Sequence, residues 1–192
     1  MAVITISRQL GSGGDYIGNM VASMLSYRIL NKRNILMEAR RRGLVDSGTA
    51  DEIGEGKPPV LERFMRKKSR AVYAIRSIIQ ETAVEGNVVI LGRGGNVELK
   101  KRRDVLKIRI IADSETRITR IMKDSEVDKA QATRMLKKSD KERAGYVKHF
   151  FLMDASNPEL YDIVINTTSI SLDAAVRLIV QAARQTGSSE AR

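Results

Sequence analysis

The sequence predicts an α/β protein built on a parallel sheet with helices on both faces. Three observations predict it. Short apolar runs alternate with longer segments of helical period. The runs are continuously apolar, as strands covered on both faces are. Two of them end in glycine clusters, at Gly11 to Gly14 and at Gly92 to Gly95. In such sheets ligands sit beyond the carboxyl ends of the strands.

Val3 to Ile6 is a β-branched run that enters the first glycine turn. From Asp15 to Leu25, Ile17, Met20, Val21, Met24 and Leu25 recur at helical spacing. A brief strand over Tyr27 to Leu30 and a helix to about Arg42 follow. Gly43 to Pro59 is polar and glycine-rich with two adjacent prolines, hence a loop. Val60 to Val84 reads as a long helix with Leu61, Phe64, Met65, Val72, Ile75, Ile78 and Ile79 inward. Val88 to Leu91 is a strand ending in the second glycine turn, and Val105 to Ile111 is a third clear strand. A helix from Ser114 to about Lys123 comes next, then a charged helical stretch from Glu126 to Phe151 with a turn expected near Ser139-Asp140. Asp162 to Asn166 is the last strand. Ser171 caps a closing amphipathic helix to about Gln185.

The length, 192 residues, suits one domain, here 1–186, with 187–192 as a disordered tail. There is no cysteine, which excludes disulfides, thiolate metal sites and a cysteine nucleophile. No apolar run approaches the length of a membrane span, and no secretory leader is evident, so a cytoplasmic protein without a membrane partner is expected. A net charge of +11 asks for an anionic partner. Aromatics at 4% disfavour single-stranded nucleic acid, which is bound by stacking. A nucleotide or other phosphate-bearing small molecule fits better. A homodimer through the 60–84 helix stays open.

Glycines between a strand and a helix N-terminus let several backbone N–H groups converge on an anion, with the helix dipole behind them. Arg8-Gln9-Leu10-Gly11-Ser12-Gly13-Gly14-Asp15 has that form. The dinucleotide fingerprint does not fit, because its third glycine would be Tyr16. The phosphate-loop pattern does not fit as written either. Aligned on Gly13, its first glycine is Arg8, its lysine Gly14 and its hydroxyl residue Asp15.

Taken in order, ITISRQLGSGGDYIG, VVILGRGGNV, ADSETRITRIM, KKSDKERAGYVKHFF and YDIVINTTSISLDAAVRLI resemble the cytidylate kinase-like family, over about residues 3–180. The resemblance implies a P-loop kinase fold: a three-layer five-stranded parallel sheet, an acceptor-binding region over 27–87 and a helical lid over 117–150. It implies phosphoryl transfer from ATP, with Mg2+, to a nucleoside monophosphate such as CMP. Gly11, Ser12, Gly13 and Gly14 would cradle the donor phosphates, with Asp15 as a Mg2+ ligand. Asn166 and Thr167 would lie at the donor base or its floor. Arg93 would meet the acceptor, with Asn31 and Arg134 on the same side. Lys137, Asp140 and Arg143 match the lid pattern.

The chemistry fits those residue types. Phosphoryl transfer needs positioning and positive charge around the equatorial oxygens, which arginine forks match. The stretch from Arg117 to Lys148 supplies such charges in number. Three departures matter. The loop lysine is missing, so Arg8 or a lid cation is expected to replace its charge, with Arg8 supplying part of it. Asp15 replaces the metal-binding hydroxyl. The family's base-selecting acids are Gly94 and Asn31 here. A non-catalytic nucleotide-binding protein, or a kinase of another small acceptor, therefore stands as the alternative. His149 beside Phe150 and Phe151 reads as packing. Tyr146, one turn from Arg143, either orients it or packs.

Overall fold

The computed structural model describes residues 2–44 and 62–186, with side chains from 72 onward in the second stretch. The expected inner positions Leu61, Phe64 and Met65, most of the 43–59 loop and the 187–192 tail lie outside what is described. The elements run β1 (Val3–Arg8), α1 (Gly14–Leu25), β2 (Arg28–Leu30), α2 (Lys32–Arg41), α3 (Glu62–Glu85), β3 (Val88–Leu91), α4 (Gly95–Glu98), β4 (Val105–Ile111), α5 (Ser114–Ser125), α6 (Lys129–Phe151), β5 (Ile163–Asn166) and α7 (Leu172–Thr186). A 3-10 turn at Pro158–Leu160 precedes β5.

All five strands pair in parallel, in the order β2-β3-β1-β4-β5. Each crossover between parallel strands needs a helix, which the sequence supplies in turn. One sheet face packs Ile4, Ile6, Val89, Leu91, Ile108 and Ile110 against Ile17 and Val21 of α1 and Val176, Ile179 and Val180 of α7. The other packs Val3, Val88, Ile90 and Val105 against Ile35 and Ala39 of α2 and Ile75, Ile78 and Ile79 of α3. Both faces are thus covered. Each fully buried isoleucine contributes about 1.5–3 kcal/mol relative to exposure.

A third, smaller cluster joins Ile121 of α5 to Ala132 and Leu136 of α6, with Leu10 of the first glycine turn packed against it. The α5–α6 hairpin therefore sits over that turn on a limited apolar footing. Asp113 caps α5 by accepting from Thr116 N–H at 2.7 Å, and Asp128 caps α6 from Gln131 N–H at 2.7 Å. The expected Ser171 cap forms too, accepting from Ala174 N–H at 3.2 Å.

One local reading needs correction, and one short element went unread. The turn expected near Ser139-Asp140 is absent, and α6 runs unbroken through it. Serine and aspartate disrupt helices by bonding their own backbone. Here Ser139 accepts from Arg143 Nε at 3.0 Å and Asp140 is taken by Arg117, so neither competes. The four-residue α4 had no periodic signal, because it is only one turn long.

Candidate functional site: a glycine turn ringed by arginines

β1 ends in the turn from Gln9 to Gly13. Gly11 and Gly13 both have φ of +76°, which glycine alone adopts without strain. A Cβ on Gly11 would also lie 2.6 Å from the Arg117 carbonyl. Three successive carbonyls of the turn are tied from behind. Arg117 Nε donates to Leu10 O at 2.7 Å. Arg120 Nη1 donates to Gly11 O at 3.4 Å. Thr167 Oγ1 donates to Ser12 O at 2.8 Å. In a trans peptide the following N–H points the opposite way. Tying the carbonyls back therefore turns the Gly11 and Gly13 amides toward the open side, beside the first turn of α1. Ser12, fully buried, braces the turn through Gln9 O, to which its hydroxyl donates at 2.8 Å.

Next to the turn, which it touches at Gln9, and at the carboxyl ends of β1, β3 and β4 lies a cavity of about 300 Å³ lined by Arg8, Arg93, Arg109, Asp140, Arg143 and Tyr146 among others. Arg143 Nη1 donates to Arg8 O at 2.5 Å, which docks α6 on the end of β1. Arg93 is 5% exposed, holds φ of +56° and lies 5.9 Å over the Tyr146 ring. A buried cation on a left-handed backbone is a costly arrangement of the kind that clusters at ligand sites. Asn96, 5% exposed, lines the same cavity, and its Nδ2 has no hydrogen-bond partner among the described residues. Asp154 at the rim is held below the usual carboxylate range, first by the Ser156 backbone N–H.

The structure brings Arg8, the 11–15 turn, Arg93, Asp140 and Arg143 together. Asn31 instead caps α2, accepting from Asn34 N–H at 3.0 Å. Arg134 and Lys137 are exposed on α6 and do not line the cavity. Asn166 lines a second cavity of about 410 Å³ that shares Gln9 and Arg109 with the first. Thr167 is 1% exposed and acts as a brace behind the turn. Arg117 and Arg120 are braces as well, not cations facing the cavity. Tyr146 packs under Arg93 and against Phe150. Beside Gly94 the Phe151 ring occupies the space: a Cβ there would lie 2.6 Å from its Cζ.

Sequence reasoning missed Arg109. Its Nη1 donates to Tyr161 Oη at 2.8 Å and to Ala155 O, which holds the 155–161 loop against the cavity. The available signal was Lys107 and Arg109 alternating inside an otherwise apolar strand. No group of three or more acidic or histidine side chains that could hold a metal occurs among the described residues. Mg2+ often binds through one or two carboxylates with substrate phosphates and water. The exposed Asp15 at the start of α1 fits that lighter demand.

A parallel sheet in this order, with a braced glycine turn after its central strand, defines the P-loop kinase fold. The chain belongs to the cytidylate kinase-like family, whose profile matches residues 3–169. That membership supports a nucleotide kinase-like function. A cytidylate kinase from Archaeoglobus fulgidus is 28% identical over 185 residues, covering 93% of each chain. Among solved structures, an uncharacterized protein from Eubacterium ventriosum superposes with a TM-score of 0.75 at 22% identity, over 96% of this chain and 99% of that one. A shikimate kinase from Bacteroides thetaiotaomicron superposes at 0.57 and 13% identity, over 95% and 98%. No described helix is long and apolar enough to cross a membrane.

Proposed function

We propose that the protein transfers the γ-phosphoryl group of ATP to the phosphate of a nucleoside monophosphate, with a CMP-like acceptor. The observation that carries this reading is the glycine turn with its carbonyls braced by Arg117, Arg120 and Thr167, opening beside a cavity ringed by Arg8, Arg93, Arg109 and Arg143. The amides of Gly11, Gly13 and Gly14 hold the donor phosphates. Asn166 and Thr167 lie on the donor side. Arg93 and the Asn96 amide, unpartnered among the described residues, meet the acceptor. An acceptor phosphate oxygen attacks the γ-phosphorus, the bond to the β–γ bridging oxygen breaks, and ADP leaves with that electron pair. Arg8 and Arg143 supply charge to the equatorial oxygens. Asp140 positions the hairpin, which serves as a lid. Arg134 and Lys137 would reach nucleotide only on further closure, and Asn31 contributes by shaping the β2–α2 junction.

Asp15 would hold Mg2+ arriving with the nucleotide, which would supply neutralisation of phosphate charge there.

One observation favours a second reading, a kinase of another small anionic acceptor. The Phe151 ring fills the space beside Gly94, so no carboxylate faces a base amine there. The test is ADP release from ATP and Mg2+ with CMP, UMP, AMP and a set of hydroxyl and carboxylate acceptors. Turnover with a monophosphate is expected. Binding of ATP without turnover on any acceptor would leave only a nucleotide-binding module.

A further inference from the structure

A phosphate loop ordinarily carries its cation on a lysine at the start of the helix. Position 14, where that lysine would stand, is glycine, and torsion does not require it: Gly14 is not among the residues of positive φ. Space requires it. A Cβ on Gly14 would fall inside contact distance of Arg8 Cβ and 2.7 Å from Arg8 Cγ. The far end of the same side chain is cleared by a second glycine. A Cβ on Gly92 would collide with Arg8 Nη1 and lie 3.4 Å from Cζ. Arg8 thus runs from the space of the missing lysine to the second glycine turn, between the donor amides and the acceptor cavity it lines. Its fork rests on Asp15, with Nε and Nη2 at 3.1 and 2.9 Å from Oδ1. The Arg8 side chain is 14% exposed and that of Asp15 63%, so the pair can be approached from the Asp15 side.

We infer that Arg8 is the loop's phosphate cation, moved from the helix to the strand, and that cations at positions 8 and 14 exclude one another. This rests on the donor reading of the glycine turn. It makes Gly14 a clearance for the Arg8 stem, whereas Gly92, against the Arg8 head, is called for by its φ of +71° as well. It also gives Asp15 a second task, holding the guanidinium in place until phosphate oxygens replace the carboxylate.

The test measures binding of ATP and of inorganic tripolyphosphate to the full chain by calorimetry in EDTA, with thermal melting of every variant. Arg8→Ala is expected to weaken both ligands by about tenfold to a hundredfold, as the loss of a charge-assisted contact does. Gly14→Lys alone melts lower and binds poorly, because its side chain meets the Arg8 stem. Combined with Arg8→Gly it recovers ATP affinity to within about threefold of the natural chain, since lysine and arginine are both phosphate cations. Unchanged affinity in Arg8→Ala would overturn the inference. So would a folded Arg8→Gly, Gly14→Lys chain that binds no better than Arg8→Gly alone. If the natural chain bound neither ligand, the donor reading would fall first and take this inference with it. If Arg8 behaved as expected but no acceptor turned over, the inference would stand and the transfer reading would fall.

Discussion

Arg117 grips both carboxylate oxygens of Asp140, at 2.7 and 3.0 Å, while its Nε holds the carbonyl of Leu10. One side chain on α5 therefore ties the middle of α6 to the glycine turn. The Arg117 side chain is 3% exposed and that of Asp140 37%, so the pair is buried on one side only. Asp140→Asn leaves the buried guanidinium short of its counter-charge. We expect a loss of about 2 kcal/mol, less than for a fully buried pair. Hydrogen exchange across 129–145 should quicken and ATP affinity fall. Unaltered exchange there would show that the hairpin is held by its apolar cluster alone.

Thr167 donates to Ser12 O and accepts from Arg120 Nη1 at 3.0 Å. Thr167→Val keeps the shape and removes both bonds. It should cost about 1–3 kcal/mol in chemical denaturation, because buried polar partners are left unpaired. ATP should bind more weakly as the turn loses its brace, and Thr167→Ser should restore most of both. Equal stability of the valine and serine variants would remove Thr167 from the brace.

Gly94 combines φ of +68° with the Phe151 ring against its Cα. Gly94→Ala meets both obstacles. The left-handed backbone alone should cost about 1–2 kcal/mol, and displacement of the ring adds to that. Adding Phe151→Ala should recover the steric part only, measured as the non-additivity of a double-mutant cycle in melting. Strict additivity would mean that the ring moves aside freely.

Glu38 is pulled from its ordinary 4.5 to about 2, first by hydrogen bonds from Arg41 and Arg42. A carboxylate depressed in the folded chain stabilises above its ordinary value, and the benefit disappears as pH falls through the folded one. The stability gap between the natural chain and Glu38→Gln should therefore be full above pH 4.5 and close toward pH 2. A gap that ignores pH across that window would refute the ion pairs on α2.

β3 and β4 matched their apolar runs residue for residue, and β1 extended its run by two, because strands buried on both faces carry their burial in every residue. The glycine turn, its neighbouring helix start and the Ser171 cap were legible for a like reason: backbone torsion and capping are local demands on residue type. The brace was not legible. Arg117 reaches Leu10 across 107 positions, and Thr167 reaches Ser12 across 155. In sequence Arg117 and Arg120 look like any solvated helix cations. Only the packing of α5 against the turn makes them its supports. The pattern of apolar runs determined a parallel α/β scaffold, and the composition an excess of cations that asks for an anionic partner. The tertiary structure decided which cations line the cavity and which hold the loop, because hydrogen bonds between distant segments depend on where the packed core brings them.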